Sequence, residues 1–436
     1  MFRIRWMGKK RKECNRLSSK GNGIMKCQYE YKDSVLKRAI SFRTGVSFSS
    51  IINADGTSNT KKMSGEDAFF QCWLRSKTNP GICSNRGEIR VVDLFCGCGG
   101  LTLGISEACR ALEYSFVPVL AADMAPAALE LYRKNFNPAT VISDPIEQYI
   151  DSELGEPLSE KEKQFCKLTG SIDVLIGGPP CQGNSDLNNH TRRSDPRNLL
   201  YLRMIRCVEI TMPKFLIIEN VPGVQHDTHN VVDIAKAKLK KLGYSVDSGV
   251  INMSDIGVPQ KRKRFFLIAS REKSVSISRA IESHKTEEKT VQWAIEDLMD
   301  VQNNTVFDTP ANSSIANKKR IDYLFDNDLY DLPNSERPDC HRLKKHSYTS
   351  VYGRMYWDMP SPTITGGFGS NGQGRFVHPK CRRTLTPHEA ARIQFFPDYF
   401  NFEGVKRREL QQIIGNAVPS KASYILGIEF LGETEG

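Results

Sequence analysis

The sequence predicts an α/β protein, built on a doubly wound parallel sheet with a second, smaller domain. Short apolar runs alternate with helical segments through residues 89–274, which is the pattern of strand–helix–strand units. Several of these runs end at glycine, proline or a reactive side chain, as buried parallel strands do at their carboxyl edge. Residues 275–408 depart from this alternation with polar stretches and turns. We therefore assign the second domain to that segment and expect residues 409–436 to return to the first.

Residues 1–88 form a basic amino-terminal extension that is rich in serine and asparagine. They hold 18 Lys and Arg against 7 Asp and Glu, whereas residues 89–436 hold 43 of each, so the net charge of +11 belongs to the extension. Apart from a short helix expected over residues 66–74, the extension lacks strong periodicity, and its composition is compatible with disorder. A flexible arm that binds nucleic acid and an untranslated leader before Met25 or Met63 both remain open.

The first strand–helix unit contains a glycine-rich turn. Residues 89–94 predict a strand, the spacing Gly97-x-Gly99-Gly100 predicts the turn, and residues 101–112 predict a helix. Such a turn lets a ligand approach the backbone closely. Because it lacks the G-x-G-x-x-G spacing, it disfavours a nicotinamide dinucleotide and with it an oxidoreductase, which is the alternative from another enzyme class.

Two carboxylates follow the next strands of this half of the sheet. Residues 118–122 predict a strand that ends at Asp123, and Asp144 with Ile146 follows another. The carboxyl ends of these strands meet at the same edge as the glycine turn. A carboxylate at that edge can accept hydrogen bonds from ribose hydroxyls, so we expect Asp123 to bind a ribose.

A cysteine follows the central apolar run. Residues 172–176 predict a buried strand, and residues 177–183, Gly-Gly-Pro-Pro-Cys-Gln-Gly, predict a rigid turn that carries Cys181. A thiol at the carboxyl edge of the sheet is positioned for nucleophilic chemistry rather than for filling the core. Residues 183–198 are polar and lack periodic apolar residues, which is the composition of a mobile loop that closes over a site.

Two further groups are expected at the cysteine edge. Residues 215–218 predict a strand that delivers Glu219 to its carboxyl end. Residues 244–251 predict another strand, and if residues 264–270 return antiparallel to it, Arg262 comes back to the same edge. A thiol, a carboxylic acid and a guanidinium would then converge.

These three groups suit addition to an electron-poor ring, and a pyrimidine such as cytosine is one. Attack of the Cys181 thiolate on carbon 6 makes carbon 5 nucleophilic enough to accept a methyl group. Glu219, kept protonated because burial raises a carboxyl pKa, would stabilise ring nitrogen 3. Arg262 has the fork geometry to hold the exocyclic oxygen. A base in a duplex must first be flipped out of the stack, at a cost of about a few kcal/mol.

These segments, in this order, resemble the C5-cytosine-specific DNA methyltransferases from residue 89 to about residue 430. The resemblance implies a doubly wound S-adenosylmethionine-dependent methyltransferase fold with a smaller target-recognition domain. It also implies methyl transfer from S-adenosylmethionine to carbon 5 of a flipped cytosine, through a covalent Cys181 adduct, in a specific duplex sequence. The segments that carry it are Val92–Gly100, Pro179–Gly183, Glu219–Val221, Gln260–Arg264, Arg383–Thr386 with Glu389, Arg392 and Gln394, and Gly415–Val418.

The resemblance also implies the residues of the site, with Cys181, Glu219 and Arg262 as the catalytic set. No metal is expected, because the twelve cysteines form neither a repeated C-x-x-C pair nor a Cys/His ligand set. The residues expected to bind S-adenosylmethionine are Phe95, Gly97, Gly99, Gly100, Asp123, Met124, Asp144, Pro179, Leu200, Asn416 and Val418. The residues expected to bind double-stranded DNA are Gln182, Ser185, Arg192, Arg193, Arg197, Asn220, Gln260, Arg264, Thr363, Thr365, Gly366 and Arg375.

The remaining expectations concern partners and alternatives. No apolar run approaches the roughly 18 residues that span a bilayer, so we expect a cytoplasmic protein. We also expect a monomer that is associated with the nucleoid through DNA binding. It either acts alone or has a cognate restriction endonuclease. A transfer-RNA cytosine-5 methyltransferase and a catalytically silent DNA-binding module stay open. The size of the region 275–380 favours duplex DNA over RNA, and the intact catalytic set disfavours a silent module.

Overall fold

The computed structural model describes residues 26–32, 34–54, 65–81, 84–180, 200–301, 303–343 and 350–433. The strands are β1 (Lys26–Lys32), β2 (Val35–Ser41), β3 (Ser47–Asn53), β4 (Glu88–Leu94), β5 (Ser115–Ala122), β6 (Thr140–Ile142), β7 (Val174–Gly177), β8 (Phe215–Asn220), β9 (Ser245–Asn252), β10 (Gln260–Lys261), β11 (Lys263–Ser270) and β12 (Ser361–Pro362). The helices are α1 (Glu66–Arg75), α2 (Gly100–Ala111), α3 (Pro126–Phe136), α4 (Glu160–Thr169), α5 (Leu200–Thr211), α6 (Val231–Lys241), α7 (Ile277–His284), α8 (Val291–Ile295), α9 (Ile315–Asp326), α10 (Asp339–Arg342), α11 (Pro387–Ile393), α12 (Arg407–Asn416) and α13 (Ser420–Leu431).

A seven-stranded sheet with the order β6-β5-β4-β7-β8-β11-β9 forms the centre of the molecule. The first five strands are parallel, and β11 is antiparallel to both of its neighbours. The doubly wound α/β fold is therefore confirmed, as is the antiparallel return of the strand that follows Arg262. The strand order reverses between β4 and β7, and such a switch point is where open α/β sheets bind ligands.

Each face of the sheet supports its own hydrophobic core, because successive side chains of a strand point to opposite faces. Val91 and Ile176 face a core that includes α2, α7 and α13. Val92 and Leu175 face a second core that includes α4, α5 and α6. The strands are buried on both faces, which explains their nearly continuous apolar sequences.

The described part of the amino-terminal extension is ordered and packed into the first of these cores. Strands β1, β2 and β3 form an antiparallel sheet, and alternate residues of β2 and β3, such as Leu36, Ile40 and Ile52, are buried. The expected helix is present as α1, which buries Phe69 and Trp73. The expectation of disorder is corrected for these residues, because period-two alternation over two short strands gives this sheet one apolar face.

Residues 275–408, the predicted second domain, contribute to two cores, a small one of their own and the main core. Val291 of α8 and Ile277 of α7 belong to the main core. The separate core contains Ile321, Leu324, Leu332, Val351, Tyr352 and Val377. Within the described ranges, none of the helices has the length and apolarity that crossing a membrane requires.

Candidate active site

Five strand ends meet at one edge of the sheet and carry the predicted site. Phe95 follows β4, Asp123 follows β5 and Gly178 follows β7. Glu219 lies at the carboxyl end of β8, where it is paired with Phe266 of the antiparallel strand β11. Because β11 begins at this edge, Arg264 is brought to it as well. Residues from distant parts of the chain thus converge at the switch point.

Glu219 forms an ion pair with Arg264 at this edge. The distance from Arg264 Nε to Glu219 Oε1 is 2.9 Å, and the carboxylate is largely buried. Burial raises the pKa of Glu219 above its usual value, and the guanidinium groups of Arg264 and Arg262 oppose that rise. A raised pKa favours the protonated carboxyl group, which can donate a hydrogen bond to an acceptor on a ligand.

Arg262 lies deeper than Arg264 and binds the backbone instead of the Glu219 carboxylate. Its Nη1 donates to the carbonyls of Ile364 at 2.8 Å and Gly415 at 3.2 Å, and its Nη2 donates to the carbonyl of Asn416 at 3.5 Å. Among the residues that the structure describes, its buried Nε has no hydrogen-bond partner. The structure therefore brings Arg264 against Glu219, whereas Arg262 joins the sheet edge to the second domain and to the end of α12.

The turn after β7 approaches Glu219 closely. A Cβ added to Gly178 would lie 3.2 Å from Glu219 Oε2, so this glycine leaves room for the carboxylate. The side-chain amide of Asn220 donates to the carbonyl of Pro179 at 3.1 Å, which fixes the turn to the end of β8. Cys181, two residues beyond Pro179, lies outside the described residues.

The glycine turn after β4 has the strained, open backbone of a ligand site. Phe95 has a φ of 59°, which is rare for a residue with a side chain. Gly97 and Gly99 also have positive φ, and a Cβ on Gly97 would meet open space. A Cβ on Gly100 would lie 2.5 Å from the carbonyl oxygen of Val418, so the turn is closed on one side by the segment before α13.

Asp123 links this turn to the next strand end. Its two carboxylate oxygens accept hydrogen bonds from the backbone N–H groups of Gly97 and Ala125, both at 2.8 Å. Each oxygen keeps a lone pair for a further donor, such as a hydroxyl group. Asp144 is exposed and accepts a hydrogen bond from the hydroxyl of Tyr149 at 3.1 Å.

The remaining predicted cofactor residues lie at the ends of strands and helices, and Val418 approaches the turn itself. Met124 is 67% exposed beside Asp123, and Leu200 is half-buried at the start of α5. Asn416 is exposed at the end of α12, whereas Val418 is buried. The open backbone at Gly97, the two acidic side chains and an exposed apolar side chain fit a nucleoside with an attached sulfonium-bearing amino-acid chain, which is the chemistry of S-adenosylmethionine.

Apart from Arg264, the predicted DNA-binding residues that the structure describes fall into three groups. Gln260 and Asn220 are buried and bind protein groups; the Gln260 side chain accepts from the N–H of Ile364 and donates to Gln394 Oε1, both at 2.8 Å. Arg375 binds the Asp331 carboxylate and two backbone carbonyls. Thr363, Thr365 and Gly366 are partly exposed beside the end of α12. The predicted residues that lie outside the described ranges are Gln182, Ser185, Arg192, Arg193 and Arg197.

Two buried residues that connect elements of the fold were not predicted as site residues. Gln394 donates to the carbonyl of Ile414 at 2.6 Å, and through Gln260 it joins the sheet edge to α12. Arg38 is fully buried against Glu107 of α2. The sequence feature that could have identified Arg38 as a buried residue is its position between Leu36 and Ile40, on the apolar face of an alternating strand.

Known proteins are similar to this chain over most of its length. Residues 89–430 match the family model of the C-5 cytosine-specific DNA methylases. The Type II methyltransferase M1.BsuMI of Bacillus subtilis (strain 168) is 48% identical over 396 residues, which cover 91% of this chain and 93% of that relative. The Type II methyltransferase M1.HphI of Haemophilus parahaemolyticus is 32% identical over 340 residues, covering 76% and 84%. The solved structure of S. pombe Dnmt2 methyltransferase, at 16% identity, shares the fold with a TM-score of 0.57 over 80% of this chain and 100% of that chain.

Proposed function

Because this chain belongs to the C-5 cytosine-specific DNA methylase family and is a DNA cytosine-5-methyltransferase, we propose that Cys181 forms a covalent adduct with a cytosine flipped out of duplex DNA. The observation that carries this proposal is the Glu219–Arg264 pair at the sheet edge. A carboxyl group with a raised pKa lies there against Gly178, three residues before the cysteine. An acid and a nucleophile are thus supplied by adjacent strand ends.

In the proposed reaction, the thiolate of Cys181 adds to carbon 6 of the cytosine ring. The electrons of the double bond between carbons 5 and 6 shift into the bond between carbons 4 and 5, and those of the double bond between carbon 4 and nitrogen 3 move onto nitrogen 3. Glu219 in its protonated form gives its proton to nitrogen 3, so carbon 5 becomes an enamine carbon that can accept the methyl group. Loss of the carbon 5 proton to solvent after methylation expels the Cys181 thiolate, and nitrogen 3 returns its proton to Glu219, which restores the ring.

We propose that Arg264 holds the exocyclic oxygen of the cytosine and that Arg262 positions the walls of the pocket. Arg264 contacts Glu219, and its guanidinium is partly exposed. The Nη groups of Arg262 are occupied by the carbonyls of Ile364, Gly415 and Asn416. This division of labour differs from the one that the sequence predicts, in which Arg262 binds the base.

The residues around the glycine turn fit S-adenosylmethionine, the donor that the family implies. When bound, this cofactor supplies an electrophilic methyl group. We propose that the backbone at Gly97 and Gly99 contacts it, that Asp123 binds its ribose hydroxyls and that Asp144 lies near its adenine. The other residues proposed to contact it are Phe95, Gly100, Met124, Pro179, Leu200, Asn416 and Val418.

The proposed substrate is one short sequence in double-stranded DNA, recognised mainly by residues 275–408. Both curated relatives carry Type II names, so we propose that the chain acts in a restriction–modification system with a cognate endonuclease, or as a solitary methylase. An enzyme with this substrate is expected to work as a monomer at the chromosome. Partly exposed Thr363, Thr365 and Gly366 are the described residues proposed to face the DNA.

Trapping with 5-fluorocytosine tests the covalent step. Fluorine at carbon 5 cannot leave as a proton does, so a methylated adduct should stay attached to Cys181. We expect purified protein, S-adenosylmethionine and a fluorocytosine duplex library to give a complex that survives a denaturing gel. Sequencing of the trapped duplexes then yields the recognised sequence, and unsubstituted DNA should gain 5-methylcytosine.

The controls separate the alternatives. Cys181→Ala should abolish the complex, whereas Cys340→Ala, at an exposed cysteine of the second domain, should leave it intact. A complex that persists in Cys181→Ala would disprove the proposed nucleophile. Methyl transfer to transfer RNA and not to duplex DNA would change the substrate, and absence of transfer to both would indicate a silent binding module.

A further inference from the structure

The amino-terminal sheet is joined to the main fold through a buried arginine. Arg38 lies in the middle of β2 and is 0% exposed. Its Nη2 is 2.9 Å from Glu107 Oε1 on α2, and its Nη1 donates to the hydroxyl of Tyr424 on α13 at 3.1 Å. Its Nε donates to Ser50 Oγ on β3 at 3.1 Å. One guanidinium therefore binds one strand and two helices.

The two helices that Arg38 binds are packed against each other without spare room. A Cβ added to Gly104 of α2 would overlap the carbonyl oxygen of Ser420 on α13. A Cβ added to Gly427 of α13 would lie 2.6 Å from the Cβ of Ala108 on α2. The hydroxyl of Ser423 donates to the carbonyl of Leu101 at 2.8 Å. Close packing of this kind transmits a small displacement from one end of a helix pair to the other.

The same helices carry two walls of the proposed cofactor site at their amino-terminal ends. Helix α2 begins at Gly100, the last residue of the glycine turn, and α13 begins two residues after Val418. The carbonyl of Val418 already limits the space at Gly100. The distance between the two walls is therefore set by how α2 and α13 are held together.

We propose that Arg38 is a positioning residue for the cofactor site, which it controls by fixing α2 against α13 through Glu107 and Tyr424. The inference rests on the proposed function, because it takes the turn Gly97–Gly100 and the segment Asn416–Val418 as cofactor walls. Arg38 lies before residue 89, outside the segment that the family model matches. The amino-terminal sheet thus contributes to cofactor binding without touching the cofactor.

The chemistry of the contact explains why an arginine is needed and why its loss leaves a folded protein. A planar guanidinium presents several donors in fixed directions, whereas lysine has a single nitrogen at its tip and cannot span Glu107, Tyr424 and Ser50 together. Glu107 also receives two hydrogen bonds from Arg110, at 2.7 and 2.8 Å. Replacing Arg38 therefore leaves the buried carboxylate paired and removes the link between the helices.

The test measures binding of S-adenosylhomocysteine, which carries no transferable methyl group, to the full chain by calorimetry. Arg38→Lys keeps the charge, and we expect it to weaken this binding about fivefold to tenfold. Tyr424→Phe removes a single acceptor, and we expect about a twofold to threefold loss. Neither substitution should change the affinity of the protein for duplex DNA in the absence of cofactor. A thermal melt of the same samples shows whether each variant is folded.

A matched control separates positioning from general destabilisation. Arg206 is equally buried and pairs with Glu162 on the opposite face of the sheet, between α5 and α4. Arg206→Lys should lower the melting temperature while leaving S-adenosylhomocysteine binding unchanged. Equal weakening in Arg206→Lys would overturn the inference.

The remaining outcomes are also decisive. If Arg38→Lys and Tyr424→Phe bind S-adenosylhomocysteine as tightly as the unmodified chain does, Arg38 only stabilises the fold and the inference is wrong. If Arg38→Lys fails to fold, the milder Tyr424→Phe decides by the same criterion. If the unmodified chain does not bind S-adenosylhomocysteine, the proposed cofactor site itself fails, which is distinguishable from failure of the positioning role.

Discussion

Glu219 is the residue whose chemistry depends most on its surroundings. Burial raises its pKa, and the guanidinium groups of Arg264 and Arg262 lower it. A general acid for ring nitrogen 3 must carry its proton at the working pH. Burial raises the pKa of Glu219 and favours this role, whereas Arg264 lowers the pKa and opposes it. Arg264 is also the better candidate to bind the exocyclic oxygen. Its two effects can be separated by the pH dependence of the rate.

At this scale we predict that Arg264→Met shifts the alkaline limit of single-turnover methylation to higher pH. Removing the guanidinium removes an influence that lowers the pKa of Glu219, so its carboxyl group keeps its proton to a higher pH. The maximal rate should fall about a hundredfold, because the contact to the exocyclic oxygen is lost. Arg271→Met, at the other end of β11, should leave the limit in place. An unmoved or lower limit in Arg264→Met would show that Glu219 is not the titrating acid.

At the scale of elements, the second domain meets α12 through contacts between backbones. A Cβ added to Gly415 would overlap backbone atoms of Thr365 and Gly366. Arg262 binds the carbonyls of Ile364 and Gly415 across the same junction. Such an approach is available only to glycine, because any side chain would force the two backbones apart. The junction thus holds the proposed DNA-facing loop beside the last residue of α12, Asn416.

We predict that Gly415→Ala destabilises the protein by about 1–3 kcal/mol, which is the usual cost of overpacking. In a thermal melt this corresponds to a fall of several degrees. Gly249→Ala is the matched control, because the nearest side-chain atom to its Cβ would be Ile277 Cγ2 at 3.7 Å, an ordinary contact. Equal melting temperatures for the two variants would contradict the tight junction.

At the scale of the whole molecule, the basic extension contains two parts with different roles. Strands β2 and β3 and helix α1 contribute side chains to the main core. Lys421 of α13 binds Glu66 of α1 at 2.6 Å, which adds a buried ion pair to the contacts of Arg38. Residues 1–25 hold eight Lys and Arg and one acidic residue, Glu13, so they carry most of the excess charge.

We therefore predict opposite results for two truncations. A chain that begins at Met25 should keep its melting temperature, while its non-specific affinity for DNA weakens and becomes less dependent on salt. A chain that begins at residue 65 should fold poorly, because it leaves the apolar side chains that pack against the sheet exposed to water. Circular dichroism and DNA titrations at two salt concentrations measure both effects. Cooperative melting of the shorter chain at an unchanged temperature would refute the structural role of residues 26–53.

The sequence by itself determined the fold class and the edge at which the chemistry lies. Asp123, Gly178 and Glu219 each follow an apolar run, which identifies them as residues at strand ends. Parallel strands bring their carboxyl ends to one edge of the sheet, however far apart the strands are in the sequence. The sequence also predicted α1, whereas the antiparallel direction of β11 was a condition that the structure meets. These features depend on neighbouring residues, so a single sequence contains them.

Only the tertiary structure decided which arginine meets Glu219 and what the amino-terminal sheet does. Arg262 lies between β10 and β11, where the regular alternation of side chains is interrupted. The direction of its side chain is set by the carbonyls of Ile364 and Gly415, which lie 102 and 153 positions away in the sequence. Arg38 is likewise buried by Tyr424, 386 positions away. A buried charge is stable only where acceptors surround it, and those acceptors come from elements that local sequence patterns do not connect.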